Sequence, residues 1–264
     1  MMDARPGLSV WEQESLEVWE QTWGIPILEA YSRLASTNDR CRELADHSAP
    51  AFTVVISKEQ TSGRGREGRP WSSPAGLGLW MSVLIRPESL ESHGLLPILA
   101  GVAVCRAIRA LRPEAEPNLK WPNDVLLGGR KVCGILCEGV GGGGVVVGIG
   151  VNVRQRPADF PVDLRDHAVS MELALHGEVS FSGLVGAILM ELRRLAAPIP
   201  TLLEGELAAE VTSLDALQGK RVRDVSGAEG TALGVAPDGA LIIGGEGEQV
   251  RRLVGGGVTV VDGS

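Results

Sequence analysis

At 264 residues the chain is long enough for one large domain with a small companion, and for a substantial apolar core. Its 44% hydrophobic and 22% charged residues exclude a disordered chain. A formal net charge of −8, from 25 Lys and Arg against 33 Asp and Glu, argues against general affinity for nucleic acid or anionic membrane, so any anion site must be local.

The N-terminus lacks the basic start and apolar run of a signal peptide, and no apolar stretch approaches the roughly 20 residues that span a bilayer. A cytoplasmic protein is therefore expected. Leu8, Trp11, Trp19 and Trp23 fall near one side of a helix, with Glu12, Glu14, Glu17 and Glu20 mostly elsewhere; residues 1–30 read as an N-terminal segment holding a docking helix. Ser36-Thr37-Asn38-Asp39 supplies cap residues for a helix carrying Cys41, Leu44 and Ala45. Residues 51–57 (AFTVVIS) read as a buried strand, and 76–87 (GLGLWMSVLIRP) as a strand with Leu77, Leu79, Met81, Val83 and Ile85 on one face. Residues 95–111 form an apolar helix with Arg106, Arg109 and Arg112 near its C-terminal end, where the helix dipole favours cations.

NLKWPNDVLL and RKVCGILCE flank Gly128-Gly129 as a hairpin, and VVVGIGVNV follows the glycine run 141–144 as another strand. Helices are expected over 182–196 and 202–213, separated by Pro198 and Pro200. From about Leu217 the chain breaks into short β-prone pieces, KRVRDV, GTALGV, ALIIGG, EQVRRLV and VTVV. The expectation is an α+β fold: a mixed sheet with helices packed on it over 31–214, then a small barrel-like β domain over 215–264. Cys41, Cys105, Cys133 and Cys137 form no CxxC pair and read as buried free thiols, Cys133 and Cys137 on one strand face.

Two strings carry chemistry. In GRGREGR (63–69) the glycines allow close backbone approach to a ligand, and Arg64, Arg66 and Arg69 add planar donors suited to phosphate or carboxylate. The bland reading is a solvated Gly/Arg linker. The loop's place between two expected strands, with Gln60 before it and Trp71 after it, favours a lid over an anion. No GxxxxGK[ST] occurs, and the 141–144 glycines read as a turn. In the second string, KWPNDVLLGGRKVCGIL, Lys120, Asn123, Asp124 and Lys131 gather around the hairpin. In isolation that reads as incidental surface charge.

Taken in order, STN (36–38), Gln60, GRGR (63–66), Gly68-Arg69, Trp71, KWPND (120–124), RKVCGIL (130–136) and GIGVNV (148–153) resemble the catalytic domain of bacterial biotin protein ligases. The resemblance spans residues 30–264 and implies a class II synthetase-like, biotin/lipoyl-ligase catalytic fold with a C-terminal SH3-like barrel. It implies that biotin and ATP react to biotinyl-5′-AMP, and that the biotinyl group passes to a lysine of a biotin carboxyl carrier protein. Ser36, Thr37, Asn38 and Gln60 then match biotin-binding positions. Arg64, Gly65 and Arg66 match the closing loop, and Gly134, Gly148 and Gly150 match positions against or under the ligand. Arg66, Arg69, Trp71, Asn123, Lys131 and Asn152 match the nucleotide side, with Trp71 beside the adenine. Lys131, Arg66 and Asp124 are the expected catalytic groups, Asp124 either orienting or deprotonating the acceptor lysine or serving as a structural partner of Lys131.

No protein-only metal site is expected; Mg²⁺ enters with ATP, near Asn152. Some relatives repress transcription through an N-terminal helix-turn-helix domain. Only 35 residues precede Ser36, and that segment is acidic, so a monofunctional ligase without DNA binding is expected, as a monomer or homodimer. A lipoate or octanoate ligase of the same fold is the alternative. Glu67 stands where some relatives carry a basic residue.

Overall fold

The structure, a computed structural model, describes residues 7–87, 94–245 and 250–261. The chain opens with a two-stranded hairpin, β1 (Val10–Trp11) and β2 (Glu14–Ser15), followed by α1 (Leu16–Trp23). The single helix expected from the Trp spacing is thus shorter, because Glu12 and Gln13 turn the chain with positive φ and Ser15 caps α1 by accepting from Val18 N–H. Trp19 and Trp23 stack, Trp11 meets both rings edge-on, and Trp11 and Trp23 are buried in the main core, so the tryptophan face is used within the molecule.

A seven-stranded sheet follows, made of β3 (Ile27–Tyr31), β4 (Thr53–Ser57), β5 (Gly78–Ile85), β6 (Asn118–Lys120), β7 (Asp124–Leu127), β8 (Arg130–Val140) and β9 (Gly144–Asn152). Its order is β3-β4-β5-β9-β8-β7-β6, with β3 and β4 parallel and every other pair antiparallel. The stretch NLKWPNDVLL is two strands rather than one. Pro122, which has no N–H to give a ladder, sits in the turn between β6 and β7. Gly128 and Gly129 take positive φ in the β7–β8 turn, and the 141–144 glycines turn β8 into β9.

Alternation divides the sheet into two faces. Leu79, Met81, Val83 and Ile85 of β5 join Val145, Val147, Ile149 and Val151 of β9 in the core beneath α3 (Leu96–Leu111) and α5 (Phe181–Ala196). All eight β5 positions are buried, not the expected single face. On the opposite side Val55, Leu84 and Val146 pack under α2 (Thr37–Asp46). The positions that continue this second face, Gly148 and Gly150 on β9 with Gly134 on β8, are bare and form the floor of a cavity. Each fully buried Leu, Ile or Val in these layers contributes about 1.5–3 kcal/mol relative to exposure.

Three of the cysteines are buried and none is disulfide-bonded; Cys133 and Cys137 pair with Val151 and Val147, on one face as expected. Burial pushes the Cys41, Cys105 and Cys137 thiols up to about 12, and Cys133 upward as well.

Beyond a short helix, α4 (Met171–Leu175), and α6 (Gly205–Leu214), the chain builds a second sheet from β10 (Arg221–Asp224), β11 (Glu229–Val235), β12 (Leu241–Gly244), β13 (Val250–Leu253) and β14 (Val258–Val260). Its order is β13-β12-β11-β10-β14, all antiparallel, in keeping with the small SH3-like β domain expected; among the described residues β13 and β14 do not pair. Glu248 and Gln249 of the expected EQVRRLV strand lie outside the described residues, as do residues 1–6 and 262–264 of the outer segments. The small sheet is seated on the large core: Val222, Leu241 and Ile243 join it, and the Trp121 Nε1–H donates to Gly239 O at 2.9 Å.

Candidate active site

A cavity of about 770 Å³ lies over the glycine floor and is lined by α2, the loop 60–74, the β6–β7 turn, β8, β9, the segment 155–168 and the near edge of the small sheet. One of its ends is the N-terminus of α2. Ser36 occupies the cap position there but its side chain makes no cap hydrogen bond; Gln60 supplies the cap instead, its Oε1 accepting from Thr37 N–H at 2.8 Å and Thr37 Oγ1 at 3.1 Å. Gln60 Nε2 donates to Ser73 Oγ. The Ser82 hydroxyl lies 2.8 Å from Thr37 Oγ1 and 2.6 Å from Asn38 Oδ1, and Asn38 Nδ2 donates to Glu138 Oε2 at 2.6 Å. Gly148 exists so that Asn38 can cross the sheet, because a Cβ there would stand 2.2 Å from Asn38 Oδ1.

The Gly/Arg loop is a closed hairpin rather than a linker. Trp71 N–H donates to Gly63 O, Gly65 N–H donates to Arg69 O, and Arg66–Gly68 form a tight turn in which Glu67 and Gly68 have positive φ. Its three arginines have different partners. Arg64 makes a two-pronged contact with Asp39 at 2.6 and 2.7 Å, with Glu138 at 3.7 Å, so the loop's root is tied to α2 and β8. That guanidinium holds the Asp39 carboxyl below the usual carboxylate range, and the Asp39 carboxylate in turn pushes the Arg64 guanidinium upward. Arg69 pairs with Glu67 at 2.6 Å in solvent. Arg66 has one long contact, 3.3 Å to Asn123 Oδ1.

Asn123 and its neighbour Asp124 bring the two distant strings together. Asn123 is locked by exchanging hydrogen bonds with Ile135, its Nδ2 donating to Ile135 O at 2.7 Å and its O accepting from Ile135 N–H at 2.9 Å. Asp124 Oδ1 stands 2.7 Å from Lys131 Nζ, which also lies 5.1 Å from the centre of the Trp71 ring. Arg66 and Lys131 therefore converge on one cavity through adjacent residues. The Trp71 indole rests on the floor where Gly134 and Gly150 are cross-strand partners; a Cβ on Gly150 would come within 2.6 Å of Trp71 Nε1, and one on Gly134 within 2.9 Å of its ring. These two glycines carry Trp71 in this structure, a contact that their match to ligand-facing positions did not suggest.

Asn152, buried, is spent on the protein: Nδ2 donates to Lys131 O at 3.4 Å and Val169 O at 3.3 Å, while Oδ1 accepts from Gln155 Nε2 at 3.0 Å. Among the described residues no group of three or more His, Cys, Asp or Glu side chains is arranged to hold a metal. Sequence reasoning missed Ser82, Asp39, Glu138, Gln155, His167, Lys220 and Thr259, of which all but Asp39 and the two framework residues Ser82 and Glu138 line the cavity. The i, i+3 spacing of Asn152 and Gln155 just past a strand was the one available signal.

A mixed sheet with a glycine floor, a cationic loop and a facing Lys–Asp pair together make a cavity suited to an anionic ligand. The chain belongs to the biotin/lipoate A/B protein ligase family, whose model matches residues 31–155. It is 36% identical over 224 residues to the bifunctional ligase/repressor BirA of Bacillus subtilis, covering 80% of this chain and 67% of that protein. It is 39% identical over 141 residues to the biotin--[acetyl-CoA-carboxylase] ligase of Mycobacterium tuberculosis, 52% of this chain and 53% of that one. Among solved structures, the biotin protein ligase from Aquifex aeolicus in complex with biotin and ATP superposes with a TM-score of 0.75 at 25% identity, covering 90% of this chain and all of that one.

Proposed function

We infer that this protein is a biotin protein ligase, which activates biotin with ATP and transfers it to a lysine of a biotin carboxyl carrier protein. The observation that carries the reading is the meeting of Arg66 and Lys131 over a glycine floor, through Asn123 and Asp124. A carboxylate oxygen of biotin attacks the α-phosphorus of ATP, the bond to the bridging oxygen breaks, and pyrophosphate leaves. Two anions must approach, so fixed cations aimed at the developing charge are the main requirement. Lys131 and Arg66 supply them, and Mg²⁺ arrives with the triphosphate as part of the substrate.

In the second step the acceptor lysine's amine attacks the acyl carbonyl and AMP leaves. Asp124 holds Lys131 in place at rest; when the phosphate draws Lys131 forward, the freed carboxylate takes the proton from the incoming amine. The loop 63–69 covers the adenylate between the two steps and keeps water from it. The α2 end, with Ser36, Thr37, Asn38 and Gln60, receives biotin. Residues 31–214 form the catalytic body, and residues from 215 onward the appended sheet. Of the residues before Ser36, the described ones hold a single eight-residue helix, whereas a helix-turn-helix needs two, so the reading gives these 264 residues no role on DNA. No described helix is long and apolar enough to cross a membrane, and the reading places the enzyme in the cytoplasm with its ATP.

Incubation with Mg²⁺-ATP, biotin and a carrier domain, read by avidin blot with lipoate as the competing acid, tests this directly. Labelling with biotin is expected; labelling with lipoate alone would replace the reading with that of a lipoate ligase.

A further inference from the structure

Glu138 stands on β8 beside the first turn of α2, half-buried and outside the wall of the cavity. Its Oε2 accepts from Asn38 Nδ2 at 2.6 Å, its Oε1 lies 3.2 Å from Arg42 Nη2, and Arg64 Nη2 is 3.7 Å from Oε2. The two guanidinium groups offset its charge. The contact with Asn38 is the shortest of the three, which gives this carboxylate a task besides ion pairing.

That task follows from counting donors. The end of the Asn38 amide that meets Glu138 also faces Leu136 O at 3.4 Å; both partners only accept, so this end is the NH2 group and Oδ1 faces the Ser82 hydroxyl at 2.6 Å. Ser82 has one proton to give and also lies 2.8 Å from Thr37 Oγ1. Because Asn38 Oδ1 can only accept, the Ser82 proton goes there, and Thr37 is left as the donor of its own pair with Ser82. The Thr37 proton stays within the protein, on Ser82 Oγ or on Gln60 Oε1 at 3.1 Å. Thr37 lines the cavity, so its oxygen keeps a lone pair for an N–H of the ligand. With Asn38 turned about, Ser82 would receive an N–H and pass its proton to Thr37, filling that lone pair.

Resting on the ligase reading above, we propose that Glu138 is a positioning residue for biotin: through Asn38 and Ser82 it fixes the direction of the hydrogen-bond chain at the α2 end, so that Thr37 meets the ligand as an acceptor. Both carboxylate oxygens are needed for this. A glutamine with its oxygen towards Arg42 sets NH2 against the NH2 of Asn38, and turned the other way it sets NH2 against Arg42.

Calorimetric titration with biotin, without nucleotide, tests the role. Glu138→Gln should weaken biotin binding about 10-fold, the scale of one or two hydrogen bonds, while the KM for ATP at saturating biotin stays within about threefold. Arg42→Ala removes the ion pair but leaves the Asn38 contact, so its biotin affinity should stay within about threefold of the wild type. Exchanging the two groups is the decisive arm. Asn38→Asp alone sets two carboxylates against each other and should cost about 100-fold; adding Glu138→Gln gives that carboxylate an NH2 and Arg42 an oxygen, so the double variant should recover about 10-fold over Asn38→Asp. Wild-type affinity in Glu138→Gln, an equal loss in Arg42→Ala, or a double variant no tighter than Asn38→Asp overturns the proposal. Should Asn38→Asp not fold, the contrast between Glu138→Gln and Arg42→Ala decides. A wild-type chain that binds no biotin overturns the ligase reading itself and takes this assignment with it.

Discussion

The two ends of the cavity are built on opposite terms. At the α2 end Thr37, Asn38, Gln60 and Ser82 are partnered to one another and to Glu138 and Ser73, so that pocket is shaped before any ligand comes. Past the glycine floor, Arg66 has one long hydrogen bond and Lys131 one carboxylate, that of Asp124. A preformed pocket suits a ligand recognised by shape. Groups with spare valence suit one whose charge is developed and moved during the reaction, since they cost little reorganisation when that charge appears. Mutations at the two ends should therefore fail differently, one in stability and biotin binding, the other in rate.

The largest expected effect is at Lys131. Lys131→Ala removes the central cation and should lower biotin-dependent pyrophosphate exchange by about 10³-fold, while biotin binding without nucleotide, measured by calorimetry, changes much less. A large parallel loss of biotin affinity would erase the distinction between the ends. Arg66→Ala should cost about 10²-fold in kcat with the melting temperature unchanged, because its side chain holds nothing else strongly. Arg64→Ala should give the reverse pattern. Its contacts with Asp39 and Glu138 are partly exposed, so the stability loss stays under about 1 kcal/mol, and kcat falls only as far as the loosened loop leaks.

Gly148→Ala attacks the preformed end. The new methyl would stand 2.2 Å from Asn38 Oδ1 and must displace an amide with fixed partners, at a cost of about 1–3 kcal/mol. Thermal melting should show that loss, accompanied by weaker biotin binding and by little change in the ATP KM. Gly150→Ala should instead dislodge the Trp71 indole and register first in the kinetics of the adenylation step.

The contrast between Arg64 and Arg66 also shows what the sequence could carry. Glycine-arginine spacing, the Lys131 string and the strand alternation of β5 and β9 are local signals, and each names its element or its chemistry. Which arginine is tied down is not local: Asp39 lies 25 residues before Arg64, and Glu138 lies 100 residues after Asn38. Likewise Gln155 has no motif of its own, because its place comes from a hydrogen-bond chain through Asn152 to carbonyls on two other segments. The division of NLKWPNDVLL into two strands was legible in Pro122 and was overridden by the β-prone residues on either side. The small antiparallel sheet was legible in its run of short β-prone pieces broken by glycine, but its strand order was not, since such a run states nothing about which strands are neighbours.

A pH series separates the root of the loop from its tip. Because Arg64 holds the folded-state pKa of Asp39 below its ordinary value, near 3.9, the contribution of that pair is fully present above about pH 4 and is lost as pH falls through the depressed folded value. The difference in melting temperature between the wild type and Asp39→Asn should be constant from pH 6 to 8 and shrink below about pH 4. A difference that vanished near neutrality would mean another titrating group holds the loop.

The smallest expected effect lies at the tip, at Glu67. This residue is exposed, pairs with Arg69, and takes a left-handed φ of 58° that a side chain disfavours. Glu67→Gly would relieve the backbone and remove the pair together, whereas Glu67→Gln would remove the charge and keep the backbone demand. Since Arg64 anchors the root and Arg66 is the cation proposed to work on the phosphate, both variants should keep kcat within about threefold of the wild type, as expected for an exposed pair. Their difference should appear in the rate at which biotinyl-AMP escapes to hydrolysis, measured as biotin-dependent AMP release without carrier: Gly, which lets the tip sample more conformations, should leak more than Gln. If Gln leaks more, the Glu67–Arg69 pair, rather than the turn geometry, is what keeps the tip closed, and the division between an anchored root and a free tip must move two residues towards the C-terminus.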